Sequence, residues 1–150
     1  MLSGFGYCVW WRLPTTHPLY HTVTYLAKRW NTLVFDAHIT VQSNLCFPPP
    51  FVPKPGEWGC LHASPASIYA NQTFVKSWNK TFYSLELPID PVFPLPKRAH
   101  LSLAYRFDRP FSPEEVAFAK HYVKSTSIIE QIQLEALVVD CSHFLVERWR

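Results

Sequence analysis

The chain has 150 residues, 48% hydrophobic and 17% charged, which excludes intrinsic disorder and suffices to bury the core of one domain. A net charge of +3 is far from a polybasic balance and gives only a weak pull on anionic ligands. No apolar run approaches the roughly 20 residues of a membrane-spanning helix.

Taken in order, GYCVWWRL (6–13), bounded by Gly6 and Pro14, reads as a buried strand. The segment MLSGFGYCVWWRLP has no basic region ahead of its short aromatic run, so it is expected to be this strand and not a signal peptide. Thr15 or Thr16 is the expected cap of a helix with Pro18 in its first turn. Leu19, Val23, Leu26, Ala27 and Trp30 give it an apolar face, and Asn31 a stop.

Residues 33–43 read as a second strand, and the proline-dense 45–59 as a loop. Residues 58–70 are ambiguous, with a short helix possible from Ser64. Residues 80–88 alternate as a strand, and PIDPVFPLP (88–96) is an extended connector. A strand over 98–107 follows. Ser112-Pro113-Glu114-Glu115 is a capping box that starts a helix running to about Ser125. Residues 134–140 and 143–149 read as two closing strands, as a hairpin around Cys141 and Ser142. Strands and helices mix without regular alternation, so the fold class is α+β in a single domain over 1–150.

The four cysteines, Cys8, Cys46, Cys60 and Cys141, have no C-x-x-C spacing, so no metal is expected. Buried thiols are favoured, with a Cys46–Cys60 disulfide left open. The sequons at Asn71-Gln72-Thr73 and Asn79-Lys80-Thr81 are expected to be unused. There is no G-x-S-x-G, H-E-x-x-H or P-loop, so serine hydrolase, zincin and P-loop NTPase readings lack their markers.

Three His-x-Ser/Thr triplets occur among seven histidines: His38-Ile39-Thr40, His62-Ala63-Ser64 and His100-Leu101-Ser102. About one would arise by chance, so neighbours must separate them. AHITV and AHLSL share an alanine, two aliphatics and a strand context, and lie 62 residues apart as a degenerate repeat. HASP has none of this. On a regular strand His100, Ser102 and Ala104 share one face with Arg98 and Arg106, and Leu101, Leu103 and Tyr105 the other. Two imidazoles across a cleft could serve as base and acid, with Thr40 and Ser102 donating to an anion. Ordinary strand histidines are an equal alternative on the residues alone.

Paired H-x-T/S-x motifs on strands resemble the 2H phosphoesterase superfamily. The flanks Phe35-Asp36-Ala37-His38-Ile39-Thr40-Val41 and His100-Leu101-Ser102-Leu103-Ala104-Tyr105 look most like its cyclic phosphodiesterase branch. The resemblance covers about residues 7–145. It implies a bilobal α+β fold, two antiparallel sheets lining a central cleft with helices outside. It implies metal-independent hydrolysis of a nucleotide phosphodiester without a cofactor, on a 2′,3′-cyclic or ADP-ribose 1″,2″-cyclic phosphate. By carry-over His38 is acid to the leaving oxygen and His100 base to water. Thr40 and Ser102 hold the phosphate, and Tyr105 lies beside it.

One departure is that PIDPVFPLPKR (88–98) stands where the family places a helix. This trims one lobe and favours a rival substrate class, 2′-5′ oligoadenylate or cyclic dinucleotides. A rival of another kind is a non-catalytic RNA-binding module on the same fold. Arg98 and Arg106 are candidate phosphate contacts, with Lys97 and Arg109 as solvated strand ends. Trp11 and Trp58 are candidate base-stacking residues, with Trp58, in a loop beside Gly56 and Gly59, the better one and a core position at least an equal reading for Trp11. His121 and His143 receive no role. The expected partner is a nucleotide or short oligonucleotide, with no membrane, and the expected state is a monomer in the cytoplasm, the nucleus remaining open.

Overall fold

The computed structural model describes residues 6–50, 61–75, 79–91, 99–123, 127–129 and 134–140. The elements are β1 (Tyr7–Arg12), α1 (Pro18–Trp30), β2 (His38–Leu45), β3 (Leu61–Ala63), β4 (Tyr69–Val75), β5 (Lys80–Pro91), β6 (His100–Arg106), α2 (Pro113–Tyr122), β7 (Ser127–Ile129) and β8 (Glu135–Asp140). The class is α+β, as the sequence suggests.

Six strands form an antiparallel sheet in the order β4-β5-β6-β2-β1-β8. The short β3 and β7 extend it from the far end of β5. Where two sheets are expected, the described strands make one. The joint is the pairing of β2 with β6, registered at Ile39 opposite Leu101. These two residues are the middle positions of the two histidine motifs. Around them the sheet divides into matching halves, β8-β1-β2 and β4-β5-β6.

Several boundaries differ from the sequence reading for local reasons. The cap of α1 is His17, whose Nδ1 accepts from the Leu19 amide at 3.1 Å. Pro18 has a fixed φ suited to the first helical turn, and the residue before it becomes the cap instead of Thr15 or Thr16. Asn31 ends the helix in the left-handed region, with φ 53°. Strand β2 starts at His38 instead of residue 33. Ahead of it the Ala37 carbonyl accepts from Leu13, and the Asp36 carbonyl is taken by the His38 side chain.

The ambiguous stretch resolves into β3, one 3-10 turn at Pro65–Ser67 where a helix was possible, and β4, a strand not anticipated. Strand β5 continues through Pro88 into the expected connector. Ile89 donates to Ala99 on the β6 side, so the N–H that Pro88 lacks would face the opposite edge. That edge is the gap between the end of β3 and the start of β4, where no strand pairing is lost. The capping box of α2 forms as expected: Ser112 Oγ accepts from the Glu115 amide, and Glu115 accepts from the Ser112 amide. β7 was not anticipated, and the expected closing strand over 143–149 lies outside the described residues.

The core fills one face of the sheet. Val9, Trp11, Ile39, Leu85, Leu87, Leu101 and Leu103 are fully buried together with Val23 and Leu26 of α1. Each such aliphatic contributes about 1.5–3 kcal/mol on leaving water. α1 packs against β6, and Trp30 at its end meets Phe111 and Phe118 of the α2 region. Among the described residues no helix is long and apolar enough to cross a membrane.

Candidate functional site

A pocket of about 200 Å³ opens on the sheet, lined by strand residues of β1, β2, β4, β5 and β6. A liquid water occupies roughly 30 Å³, so the space admits a phosphate-sized group. His38, Thr40, His100, Ser102 and Tyr105 all line it.

A β-bulge explains how Tyr105 joins them. Glu86 pairs with Ser102 but Leu85 with Ala104, so Leu103 is an extra residue in β6. Beyond it the alternation reverses: Tyr105 turns into the pocket opposite Ser84, and Arg106 turns away. The same happens on β2. Trp10 pairs with Thr40 but Val9 with Gln42, leaving Val41 extra and bringing Ser43 to the pocket. Each motif therefore reads histidine, hydroxyl, bulge, and a further polar residue, on equivalent strands of the two halves.

Arg106 is accordingly not a pocket residue. Its Nη2 donates to Glu115 Oε2 of α2 at 2.5 Å, and its guanidinium lies over Phe111. Burial pushes the Glu115 carboxyl up, but hydrogen bonds from Arg109, the Ser112 amide and Arg106 outweigh it and hold the group at about 2. Trp11, a candidate base-stacking residue, is fully buried in the core because odd positions of β1 face the helices there. Its neighbour Trp10 faces the pocket instead. Trp58, Arg98 and Lys97 lie outside the described residues, as do Cys60 and His143. Arg109 is exposed and donates to Glu115.

The two histidines sit in different surroundings. His38 is buried, its ring stacked on Trp10 at 3.4 Å with 10° between planes, and Phe35 meets its edge. Its Nδ1 lies 2.7 Å from the Asp36 carbonyl oxygen. A carbonyl only accepts, so Nδ1 carries the proton, and in the neutral ring Nε2 carries the lone pair. Burial lowers His38 from 6.5 to about 4, with the Asp36 carbonyl opposing and nearby His100 adding to the drop. At neutral pH it is therefore an uncharged base. Asp36 is held in turn by the Tyr20 hydroxyl at 2.6 Å and Arg12 at 3.4 Å, and Arg12 also donates to Glu135.

His100 is about one third exposed, with Nε2 3.4 Å from Glu86 Oε1. Glu86, paired with Ser102 across the ladder, is itself buried in the pocket wall. Ser102 is buried and Tyr105 is braced by Phe35 and Phe82. Sequence reasoning missed Trp10, Asn71, Ser84 and Glu86. For Glu86 a signal existed: a carboxylate inside Ser84-Leu85-Glu86-Leu87, a strand whose leucines are core. Such a group needs partners when it is buried. Ser64, of the third triplet, does not line the pocket.

Among the described residues, no group of three or more His, Cys, Asp or Glu side chains is placed to hold a metal ion. No family model, curated protein or solved structure matches this chain.

Proposed function

We propose that the chain is a phosphodiesterase of the 2H type, acting on a nucleotide by two-histidine acid–base chemistry. The observation that carries this reading is the meeting of His38, Thr40, His100 and Ser102 in one pocket, each motif followed by the same bulge. The matching halves of the sheet stand for the two lobes of such a fold.

In this reading His38 is the base and His100 the acid, the reverse of the order that the motif resemblance implies. His38 enters uncharged with its Nε2 lone pair available. It takes a proton from water while the water oxygen attacks phosphorus in line. The bond from phosphorus to the leaving oxygen breaks, and that oxygen takes a proton from protonated His100. Thr40 and Ser102 donate to the non-bridging oxygens, with Tyr105 beside them. Protons balance over the cycle without a metal.

The substrate favoured by this reading is a 2′,3′-cyclic or ADP-ribose 1″,2″-cyclic phosphate. Only eight residues, 92–99, separate β5 from β6, which keeps 2′-5′ oligoadenylate and cyclic dinucleotides as the second reading. The test is a panel of these substrates in EDTA, with wild type, His38→Ala and His100→Ala. Turnover of at least one substrate, lost in both variants, is expected. No turnover by wild type, or turnover indifferent to both substitutions, rejects the reading.

A further inference from the structure

Glu86 has no part in the chemistry just described, yet it is the one carboxylate among the described residues that is buried. Donors surround it. Asn71 Nδ2 and Ser84 Oγ donate to Oε2 at 3.0 and 2.7 Å. The Tyr69 hydroxyl donates to Oε1 at 3.0 Å. The same Oε1 faces His100 Nε2 at 3.4 Å. We propose that Glu86 is a positioning residue that holds the His100 ring by Nε2 and keeps the proton on that nitrogen.

The matching halves sharpen the point. Thr40 pairs with Trp10 as Ser102 pairs with Glu86, so Trp10 and Glu86 occupy equivalent places. Trp10 stacks its flat face on the His38 ring, and the Asp36 carbonyl claims Nδ1. Glu86 offers His100 an acceptor, and the only donor an imidazole nitrogen can turn toward it is an N–H. The two imidazoles are thus held in opposite tautomers. His38 keeps a lone pair on Nε2 and His100 keeps a proton there. His38 thus brings the lone pair of a base. His100, doubly protonated when it acts, gives the leaving oxygen its Nδ1 proton and is left with the Nε2–H that Glu86 holds, so the pair deepens, and rests on, the phosphodiesterase reading. The three hydrogen bonds from Tyr69, Asn71 and Ser84 fix Glu86 as second partners fix a functional carboxylate.

The test is long-range 1H–15N spectroscopy on the full chain labelled at histidine. It is run at about pH 8.5, two units above the titration of free imidazole. Wild type should show His38 protonated at Nδ1 and His100 at Nε2, the signals assigned with His38→Gln and His100→Gln. In Glu86→Gln, Asn71 and Ser84 require an oxygen at the Oε2 place, so the amide nitrogen turns toward His100. It then donates to Nε2, and the His100 proton moves to Nδ1. Hydrolysis by Glu86→Gln should lose about 10²–10⁴-fold in kcat with KM little changed, between the loss of an outer partner of a functional histidine and that of a wrong tautomer.

A wild-type His100 protonated at Nδ1 overturns the proposal whether or not Glu86→Gln folds. So does a Glu86→Gln protein with unchanged tautomer and kcat. Failure of wild type to turn over any substrate counts against the phosphodiesterase reading alone, since the tautomer is read without turnover.

Discussion

The halves β8-β1-β2 and β4-β5-β6 offer the same backbone scaffold and different chemistry. Both place a histidine and a hydroxyl on the strand next to the joint, and both bulge one residue later. They differ at the neighbouring strand, where Trp10 faces one motif and Glu86 the other. The lesson is that repeated backbone geometry brings the groups together, while the surroundings differ: a backbone carbonyl and a stacked indole hold His38, and a buried carboxylate faces His100.

The largest break in this comparison is removal of either ring. His38→Ala and His100→Ala should each lower kcat by about 10²–10⁴-fold in steady-state assays. The double variant should lose little more than the worse single one, because base and acid act in one step. Additive losses would show that the two histidines work separately.

The next effect is on stability. Free imidazole titrates near 6.5 and His38 near 4, so between these values the unfolded chain binds a proton that the folded chain refuses. The stabilising effect is complete above pH 6.5 and is lost as pH falls through about 4, a swing of about 3 kcal/mol. Urea unfolding across this range should show that swing in wild type, and His38→Gln should flatten it. Equal slopes in the two proteins would contradict the buried neutral state.

Smaller losses are expected from the hydroxyls. Thr40→Val and Ser102→Ala should each reduce kcat/KM by about 10–100-fold, the cost of one hydrogen bond to a charged group. Equal effects would make the halves equivalent toward the anion, and a one-sided effect would assign the phosphate to one half. The smallest change lies off the site. Ser112→Ala removes the cap of α2 and should cost about 1 kcal/mol in denaturant unfolding with kcat unchanged.

Much of this arrangement is visible in the sequence. The capping box at Ser112 and the helix face from Leu19 to Trp30 act through local spacing, which a sequence records directly. The pairing of AHITV with AHLSL is legible as a repeat. The bulges at Val41 and Leu103 are not, because both positions carry ordinary aliphatics and no glycine marks them. Regular alternation therefore sends Tyr105 to the core and Arg106 to the pocket, and the fold does the reverse. Trp10 and Trp11 are adjacent and chemically alike, so only strand register separates the pocket residue from the core residue. The part played by Glu86 depends on Tyr69 and Asn71 of β4, a strand whose polar sequence hides it.

The most direct measurement is the pH dependence of kcat/KM in EDTA for a substrate of the panel that wild type turns over. With His38 as a base near 4, activity should hold as pH falls from 7 to 5 and decline only toward 4. A decline that begins near 6.5, the value of a free imidazole, would show that the base is a solvated histidine, and would contradict the assignment of that role to His38.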